Sequence, residues 1–343
     1  MSTTIKVACV GGGFFSQFHF DAWQRIPETS LCGVCDIDHA RAAATGHPAY
    51  TDLGRMLTEI SPDILDVITP PATHVEIIEQ AIDLGVRVII CQKAFCRNLA
   101  EAVSVAETAA NAGITLIVHE NFRFQPWFRA VRQQLDEQAL GQVQQALFRL
   151  RTGDGQGPNA YMDRQPYFQK MQQLLIHETG VHYIDTFCYL FGEPTAVYAD
   201  LRRLNPAIAG EDAGLVIFDF PEQLKAVLDG NRHLDFEAVN TRVTFGVFIV
   251  EGTEACLKLY GDGRLTQRQF GSQQERTLLE PTKSPGFAGD CVYALSRHVV
   301  DHMLNGAEVE NTAQQYLQIL RLEQLVYDSA ARGCKLSVLA ETV

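Results

Sequence analysis

With 343 residues the chain is longer than one hydrophobic core usually organises, so two domains are expected; 46% hydrophobic and 20% charged residues are typical of a globular protein. The net charge of −13, from 28 Lys and Arg against 41 Asp and Glu, repels polyanions, and nucleic acid is not an expected partner. No apolar stretch approaches the roughly 20 residues that span a bilayer, so no membrane partner is expected either.

The cysteines and the N-terminal segment indicate a reducing compartment. Nine cysteines, an odd number scattered over a long chain, argue against a disulfide framework. Met1 to Val10 lacks the basic-then-apolar order of a signal peptide, so a cytoplasmic location is expected. Cys32 and Cys35 form a lone C-x-x-C, but in a strand they face opposite sides. Both are therefore expected in the core, and no metal site is predicted.

Roughly the first 120 residues alternate short apolar runs with helical patterns, which is the βαβ rhythm of a parallel sheet. Strands are predicted at Ile5–Val10, Leu31–Cys35, Ile64–Thr69, Val86–Cys91 and Thr115–His119. Helices are predicted at Ser16–Arg25, His39–Ala44, Thr73–Leu84 and Leu99–Ala112. Gly85 and Gly113 directly follow two of these helices, where a glycine C-cap is favoured.

Beyond Gly141 the pattern changes to alternating apolar and polar residues separated by Gly and Asp, which is typical of an antiparallel sheet. Predicted strands include Val143–Arg151, Phe245–Val250 and Ala255–Tyr260, and helices are predicted at Trp127–Gln138, Glu178–Phe191, Asp290–Leu304 and Thr312–Ala331. The predicted fold class is an α/β Rossmann domain over residues 1–124 and an α+β domain with a predominantly antiparallel open sheet over residues 125–343. The C-terminal residues are able to pack back on the first domain.

A glycine-rich turn joins the first strand to the first helix. Gly11-Gly12-Gly13-Phe14-Phe15-Ser16 follows G-x-G-x-x-[small], in which the first glycine allows a tight turn and the second lets the backbone approach a pyrophosphate. Asp36 ends the second strand, where an acid accepts hydrogen bonds from adenosine ribose hydroxyls and repels a 2′-phosphate. The loop alone could be a plain glycine turn; with this context it predicts a dinucleotide site that favours NAD over NADP.

Two further strand ends carry polar side chains at the edge where open parallel sheets bind ligands. In the segment from Thr69 to His74, Pro70 and Pro71 end the strand and Thr73 is able to cap the next helix. These local roles do not explain the presence of His74. Lys93 follows Gln92 at the end of the next strand, where partial desolvation would suit its ammonium to polarise a substrate hydroxyl. The alternative is a lysine that only reaches solvent from a strand end.

The densest titratable cluster runs from His177 to Asp185. It is not the H-E-x-x-H zinc motif, because its two histidines are five apart and diverge by ~140° on a helix. Glu178, His182 and Asp185 are spaced i, i+4, i+7 and are predicted to share one helix face. An imidazole flanked by carboxylates suits general-base catalysis near neutral pH. The alternative is a surface helix with its polar residues outward.

In their order and spacing these motifs resemble the family of NAD(P)-dependent sugar dehydrogenases that groups glucose–fructose oxidoreductase, inositol dehydrogenase and MocA. Gly11 to Ser16 resembles the family's dinucleotide loop, and Thr69 to His74 its T-P-x-x-x-H segment. Gln92-Lys93-Ala94 stands where the family has Glu-Lys-Pro, and Glu178 to Asp185 where it has D-x-G-x-H-x-x-D. The segments that look most like the D-apiose dehydrogenase branch are Cys91-Gln92-Lys93, His119 to Arg123 and Gly210-Glu211-Asp212.

The resemblance implies a reaction and a set of site residues. A sugar or polyol hydroxyl would be oxidised with hydride transfer to nicotinamide: His182 would accept the proton, Lys93 would stabilise the alkoxide, and Glu178 would replace the family's aspartate. The implied cofactor-binding residues are Gly11, Gly13, Phe14, Phe15, Asp36, Thr69, His74, Gln92 and Lys93. The implied substrate-binding residues are Lys93, Asn121, Arg123, Glu178, His182 and Asp185. The resemblance also implies a homodimer or homotetramer that assembles through the C-terminal sheet.

Three positions depart from the family pattern: Gln92 replaces a glutamate, Glu178 an aspartate and Ala94 a proline. A cis bond before alanine costs ~2.5–4 kcal/mol, against ~0.5–1 kcal/mol before proline, so the Lys93–Ala94 bond is expected to be trans. The resemblance to the family implies the alternative, a cis bond that the fold supports. Two other functions remain open at this point. One is a catalytically idle NAD-sensing regulator on the same fold, and the other is a sugar–sugar oxidoreductase with tightly bound cofactor.

Overall fold

The computed structural model describes residues 4–281, 283 and 287–338. The chain divides into two compact units. The described residues of the first unit are 4–121 and 292–320, and those of the second are 122–281, 283, 287–291 and 321–338. Within the described part of the chain, no helix combines the length and apolar character that crossing a membrane requires.

The first unit is built on a six-stranded parallel sheet with the strand order β3-β2-β1-β4-β5-β6. Its strands are β1 (Ile5–Val10), β2 (Thr29–Cys35), β3 (Ala49–Tyr50), β4 (Ile64–Val67), β5 (Val88–Gln92) and β6 (Thr115–His119). Its helices are α1 (Ser16–Arg25), α2 (His39–Ala44), α3 (Leu53–Ile60), α4 (His74–Asp83) and α5 (Leu99–Asn111). The predicted Rossmann architecture is confirmed, and every strand delivers its carboxyl end to the same edge of the sheet.

Local chemistry explains where the first unit departs from the predicted elements. β3 and α3 were not predicted: a two-residue strand is too short to show alternation, and Gly54 interrupts the start of α3. Thr73 does not cap α4 as expected, because its hydroxyl lies at hydrogen-bond distance from the Pro70 carbonyl and the Thr69 hydroxyl. Cys35 is buried and Cys32 half-buried, so the core interpretation holds fully for Cys35.

The second unit contains a nine-stranded sheet with the order β14-β13-β12-β11-β7-β10-β9-β8-β15. Its strands are β7 (Val143–Arg151), β8 (Ala196–Arg202), β9 (Ala213–Asp219), β10 (Lys225–Asn231), β11 (Gly246–Gly252), β12 (Ala255–Leu259), β13 (Leu265–Gln269), β14 (Glu275–Leu279) and β15 (Leu336–Ser337). Only the β7–β10 pair is parallel among the pairs in this sheet, so the predicted, mainly antiparallel sheet is confirmed.

The helices of the second half follow the predicted ones closely, with one exception. They are α6 (Pro126–Asp136), α7 (Val181–Phe191), α8 (Cys291–Asn305) and α9 (Ala313–Arg332). The helix predicted from Glu178 begins earlier, as a π-helical turn over Leu175–Gly180, and becomes α-helical only at Val181. Glu178 therefore precedes the α-helix that carries His182, and α-helical spacing alone does not place the two side chains on one face.

Candidate active site

The glycine-rich turn after β1 has the geometry that a bound dinucleotide requires. Gly11 has φ +103°, and a Cβ there would lie 2.8 Å from the carbonyl oxygen of Ile68, so only glycine fits. A Cβ on Gly13 would meet no atom within 4 Å, which leaves open space beside that backbone. Ser16 is buried and lies 2.7 Å from the Gly13 carbonyl through its hydroxyl, so it replaces the third glycine without blocking the turn.

Asp36 lies at the carboxyl end of β2, as predicted. Its Oδ2 accepts a hydrogen bond from the Gly12 N–H at 2.8 Å, and its Oδ1 accepts one from the Asp38 N–H at 2.9 Å. The carboxylate is thus held against the glycine turn while each oxygen keeps a further lone pair. This arrangement fits NAD, whose ribose hydroxyls are hydrogen-bond donors.

The two phenylalanines of the loop differ in their surroundings. Phe14 is 62% exposed, and its ring is in edge contact with Phe18. Phe15 is half-buried and packs against Phe18 and the buried ring of His19. Phe15 therefore anchors the start of α1, whereas Phe14 offers an apolar surface beside the open side of the loop.

His74 joins two loops at the edge of the sheet. Its ring is fully buried, with Nε2 2.7 Å from the Thr69 carbonyl oxygen and Nδ1 2.8 Å from the Phe95 carbonyl oxygen. Burial lowers the pKa of this histidine and outweighs the two backbone contacts, which raise it. With both ring nitrogens at backbone carbonyls, His74 ties the loop after β4 to the loop after β5, which carries Lys93.

Lys93 is half-buried directly after β5, and its backbone N–H donates a hydrogen bond to Oε1 of Gln92 at 3.0 Å. The bond between Lys93 and Ala94 is cis, so the expectation of a trans bond is wrong. That expectation gave the intrinsic cost of the bond more weight than the family geometry, which favours cis. Phe95 is fully buried and its carbonyl is held by His74, so tertiary contacts fix the chain immediately after the bond.

In the second unit, His182 occupies the first turn of α7. Its ring is 7% exposed and stacks flat on Phe122, with the ring centroids 4.0 Å apart and the planes 9° apart. Phe122 is held in turn by Tyr183 and Phe245. The imidazole plane is therefore fixed by aromatic packing, as a general base requires.

Glu178 lies in the π-helical turn, which is held by Glu211, Tyr327 and Glu323. Of these three residues, only Glu211 lies in a segment that resembles the family. Oε1 of Glu211 accepts hydrogen bonds from the backbone N–H groups of Leu174 and Ile176 at 3.1 Å and from the Tyr327 hydroxyl at 2.8 Å. Glu323 contacts Nδ1 of His177 at 2.6 Å. A buried carboxylate thus satisfies the free N–H groups where the turn begins.

Asp185 and Arg123 were both predicted to bind substrate, and in the structure they contact each other. The guanidinium forms a bidentate pair with the carboxylate, with N–O distances of 2.9 and 2.6 Å, and Asp185 is fully buried. The pair ties the segment around Phe122 to α7. Asn121, also a predicted substrate ligand, is 3% exposed and ends the first of the two segments that form the first unit.

A second polar cluster near Glu178 escaped the sequence analysis. Arg232 is 4% exposed and donates to both oxygens of Asp154 at 3.3 and 3.1 Å and to the Thr179 hydroxyl at 3.0 Å. Charge from Asp154 and Glu178 helps raise the pKa of Arg232 against the effect of burial. Burial raises the pKa of Tyr161, beneath the guanidinium, to about 12. These residues are far apart in the chain, and no sequence motif links them.

Comparison with known proteins gives full-length matches. Residues 5–120 match an oxidoreductase family with an NAD-binding Rossmann fold, and residues 128–257 match the GFO/IDH/MocA C-terminal domain. The D-apiose dehydrogenase of Paraburkholderia graminis is 30% identical over 97% of this chain and 90% of its own length. That of Rhizobium rhizogenes is 27% identical over 96% of both chains.

One of the most similar solved structures is an oxidoreductase from Agrobacterium radiobacter in complex with NAD+, L-tartaric acid and magnesium. It superposes with a TM-score of 0.87 at 26% identity and covers 98% of this chain and 99% of its own. The match extends through both the Rossmann unit and the antiparallel sheet. The two-domain architecture is therefore shared along the whole chain.

Proposed function

The chain belongs to the GFO/IDH/MocA family of oxidoreductases, and we propose that Lys93, His182 and Glu178 perform its chemistry on a hydroxyl group of a sugar or related polyol. It is an NAD-dependent dehydrogenase that acts on CH–OH groups. The observation that carries the proposed residue roles is the support built around His182, whose ring lies flat on Phe122. A surface histidine would need no such support.

Each proposed residue has a role that matches its surroundings. When bound, NAD supplies the hydride acceptor. Gly11 and Gly13 admit the pyrophosphate, and Asp36 accepts hydrogen bonds from the adenosine ribose. His182 accepts the proton of the substrate hydroxyl, and Lys93 stabilises the negative charge that develops on the substrate oxygen.

The remaining predicted residues support these roles. Glu178 takes the place of the family's aspartate and is assigned the role of orienting the imidazole of His182. Arg123 and Asp185, which bind each other, position the Phe122 segment on which the imidazole rests. His74 and Gln92, which are predicted to bind the cofactor, also hold the loop of Lys93.

A substrate screen tests this proposal. Because two full-length relatives are D-apiose dehydrogenases, D-apiose is the first compound to test, followed by other pentoses, hexoses, aldonates and cyclitols. Turnover is followed by the absorbance of NADH. A sugar or polyol that reduces NAD in the wild type but not in His182→Ala supports the proposal. Tight NAD binding without turnover on any of these compounds, or with external sugar acceptors, contradicts it.

We further propose that the chain forms a homodimer or homotetramer through one face of the nine-stranded sheet. Side chains paired across five neighbouring strands form one half-buried apolar row. The row consists of Tyr198, Ile217, Val227, Leu147 and Ile249. A continuous apolar row on an outer sheet face is typical of a subunit interface.

Light scattering after gel filtration tests the assembly. Val227→Lys places a charge at the middle of the row and is expected to shift the protein to a smaller species. The matched control is Ala100→Lys, on the exposed side of α5. An unchanged mass for Val227→Lys, or a monomeric wild type, contradicts the proposed interface.

We also propose a cytoplasmic location, supported by the nine cysteines, none of which forms a disulfide in the described residues. A reducing compartment keeps cysteines from forming disulfides. Cell fractionation followed by immunodetection tests this, and recovery of the protein with secreted fractions contradicts it.

A further inference from the structure

A buried hydrogen-bonded chain leads from the core of the first unit to Lys93. Oδ2 of Asp66, on β4, lies 2.8 Å from Nδ1 of His19, on α1. Nε2 of His19 lies 2.9 Å from Nε2 of Gln92, at the end of β5. Oε1 of Gln92 then accepts the backbone N–H of Lys93 at 3.0 Å. Asp66 and His19 are fully buried, and Gln92 is 8% exposed.

The direction of every hydrogen bond in this chain follows from its two ends. Because Oε1 of Gln92 accepts the Lys93 N–H, the amide NH2 group must be the atom that faces His19. Nε2 of His19 therefore accepts, and Nδ1 donates to the Asp66 carboxylate. Asp66 also accepts from Nε1 of Trp23 at 2.7 Å. All the donors point from Lys93 towards one buried carboxylate, an arrangement in which each bond polarises the next.

We propose that Asp66, His19 and Gln92 are positioning residues for Lys93. The amide of Gln92 makes this series of hydrogen bonds continuous. The inference rests on the proposed catalytic role of Lys93. The amide of Gln92 accepts from the Lys93 N–H through Oε1 and donates to His19 through its NH2 group, which an ionised carboxylate cannot do. A carboxylate at position 92 could only accept from His19, and the ring would need a second proton, on Nε2, to donate to it.

The groups packed around His19 determine how a second proton on its ring would be stabilised. Asp66 faces the ring from β4, position 92 faces it from β5, and the ring of His119 on β6 lies at a centroid distance of 4.2 Å. Phe15 covers another side. In Gln92→Glu a doubly protonated His19 would lie between two carboxylates, and its loss of a proton would break the contact to position 92. The variant should therefore show a fall in kcat towards alkaline pH in addition to the pH dependence of the wild type.

Two substitutions at position 92 test the inference. Gln92→Met keeps the length of the side chain but removes both hydrogen bonds, and we expect kcat to fall about tenfold at every pH while KM for NAD changes less than twofold. For Gln92→Glu we expect a kcat close to wild type at mildly acidic pH and a roughly tenfold fall towards alkaline pH. Gln80→Glu, on the exposed side of α4, makes the same charge change in the same unit without entering the chain.

Histidine-ring 15N NMR provides a readout that does not depend on turnover. The wild type should show His19 with its hydrogen on Nδ1, whereas Gln92→Glu at acidic pH should show hydrogen on both nitrogens. A hydrogen on Nε2 in the wild type, or a pH profile of Gln92→Glu that matches Gln80→Glu, overturns the inference. If Lys93→Ala keeps normal turnover, the proposed function fails instead; if Lys93→Ala is inactive and both position-92 variants are normal, only this inference fails.

Discussion

The imidazole of His182 lies parallel to the phenyl ring of Phe122, at a centroid distance of 4.0 Å. The two residues are distant in sequence, and Phe122 lies in the short 3-10 turn Phe122–Phe124 that opens the second unit. The plane of the proposed general base is therefore set by a residue that has no chemistry of its own. This relationship could not be predicted from the spacing of polar residues on the helix.

Replacing Phe122 should separate positioning from chemistry. In Phe122→Leu the ring of His182 loses its flat support, so we expect kcat to fall about tenfold with little change in KM for NAD, together with a stability loss of about 1 kcal/mol. Phe124→Leu, in the same turn, is the matched control and should lose stability without the fall in kcat. Equal kcat values in the two variants would show that stacking on Phe122 does not position the base.

Substitution of the proposed catalytic residues should give a graded series. His182→Ala and Lys93→Ala should each lower kcat by roughly two orders of magnitude or more, the usual scale for general-base and electrostatic groups. Glu178→Gln should cost less, because a hydrogen-bonding side chain remains while its charge is lost. NAD titration by fluorescence should show that all three variants still bind the cofactor. Near-normal turnover of the true substrate by one of these variants would show that the replaced residue does not have its assigned role.

Cofactor preference should depend on Asp36. Because its carboxylate repels a 2′-phosphate, we expect the wild type to bind NAD more tightly than NADP, and Asp36→Ala to narrow that difference. Asp36→Asn should have a smaller effect on NAD, since one oxygen can still accept from the Gly12 N–H. Titration of the three proteins with both cofactors measures this. Tighter binding of NADP than NAD by the wild type would be incompatible with the assignment.

Substitution of Tyr327 tests the hydrogen bonds that stabilise the π-helical turn. Tyr327→Phe removes the hydroxyl that donates to Glu211, leaving the carboxylate one donor short, and should cost about 1–2 kcal/mol of unfolding free energy. Because Glu211 holds the start of the turn that carries Glu178, kcat should fall as well. Tyr260→Phe, which removes a hydroxyl that donates to the exposed Glu275, is the matched control. A kcat equal to wild type in Tyr327→Phe would show that the turn is held without this bond.

His74 should make stability depend on pH. Burial lowers its pKa in the folded protein, so the unfolded chain binds a proton at a higher pH than the folded chain does. The contribution is therefore fully present above about pH 6.5 and is lost as the pH falls towards the folded pKa, by at most about 1.4 kcal/mol per pH unit. Urea unfolding of wild type and His74→Gln should show that the wild type loses its advantage on acidification. An advantage that grows instead would mean that the buried ring is protonated.

Much of the first unit was predictable because its signals are local. The Gly11–Ser16 turn, the acid at position 36 and the strand–helix alternation follow from nearest neighbours in the chain, and the structure reproduces them. The family suggested by the motifs is confirmed by the matches over both domains. The observed ends of some helices and strands differ from the predicted ends by a few residues. At these ends a proline or a cap, rather than the apolar pattern, determines where the element begins or stops.

What could not be predicted depends on contacts between distant segments. Glu211 belongs to a segment that resembles the family, but nothing in the sequence indicates that its carboxylate caps the turn that carries Glu178. His19 lies in a helix that shows no functional motif beyond its first turn, and only the sheet brings it between Asp66 and Gln92. The cis bond at Lys93 was missed for the same reason, because its surroundings come from other strands.

The position of β7 in the second sheet has a consequence for synthesis of the protein. This strand is the first of its sheet to be made, yet it lies at the centre, between β10 and β11, and its residues Ala146, Phe148 and Leu150 are completely buried. At about 5–20 residues per second, β7 waits on the order of 5–20 s for residues up to Gly252. The edge that pairs with β11 stays unpaired for this whole interval, and the edge that pairs with β10 stays unpaired until Asn231 is made. Mispairing with other nascent chains is therefore concentrated in this interval, and a pause in translation just before residue 252 would prolong it.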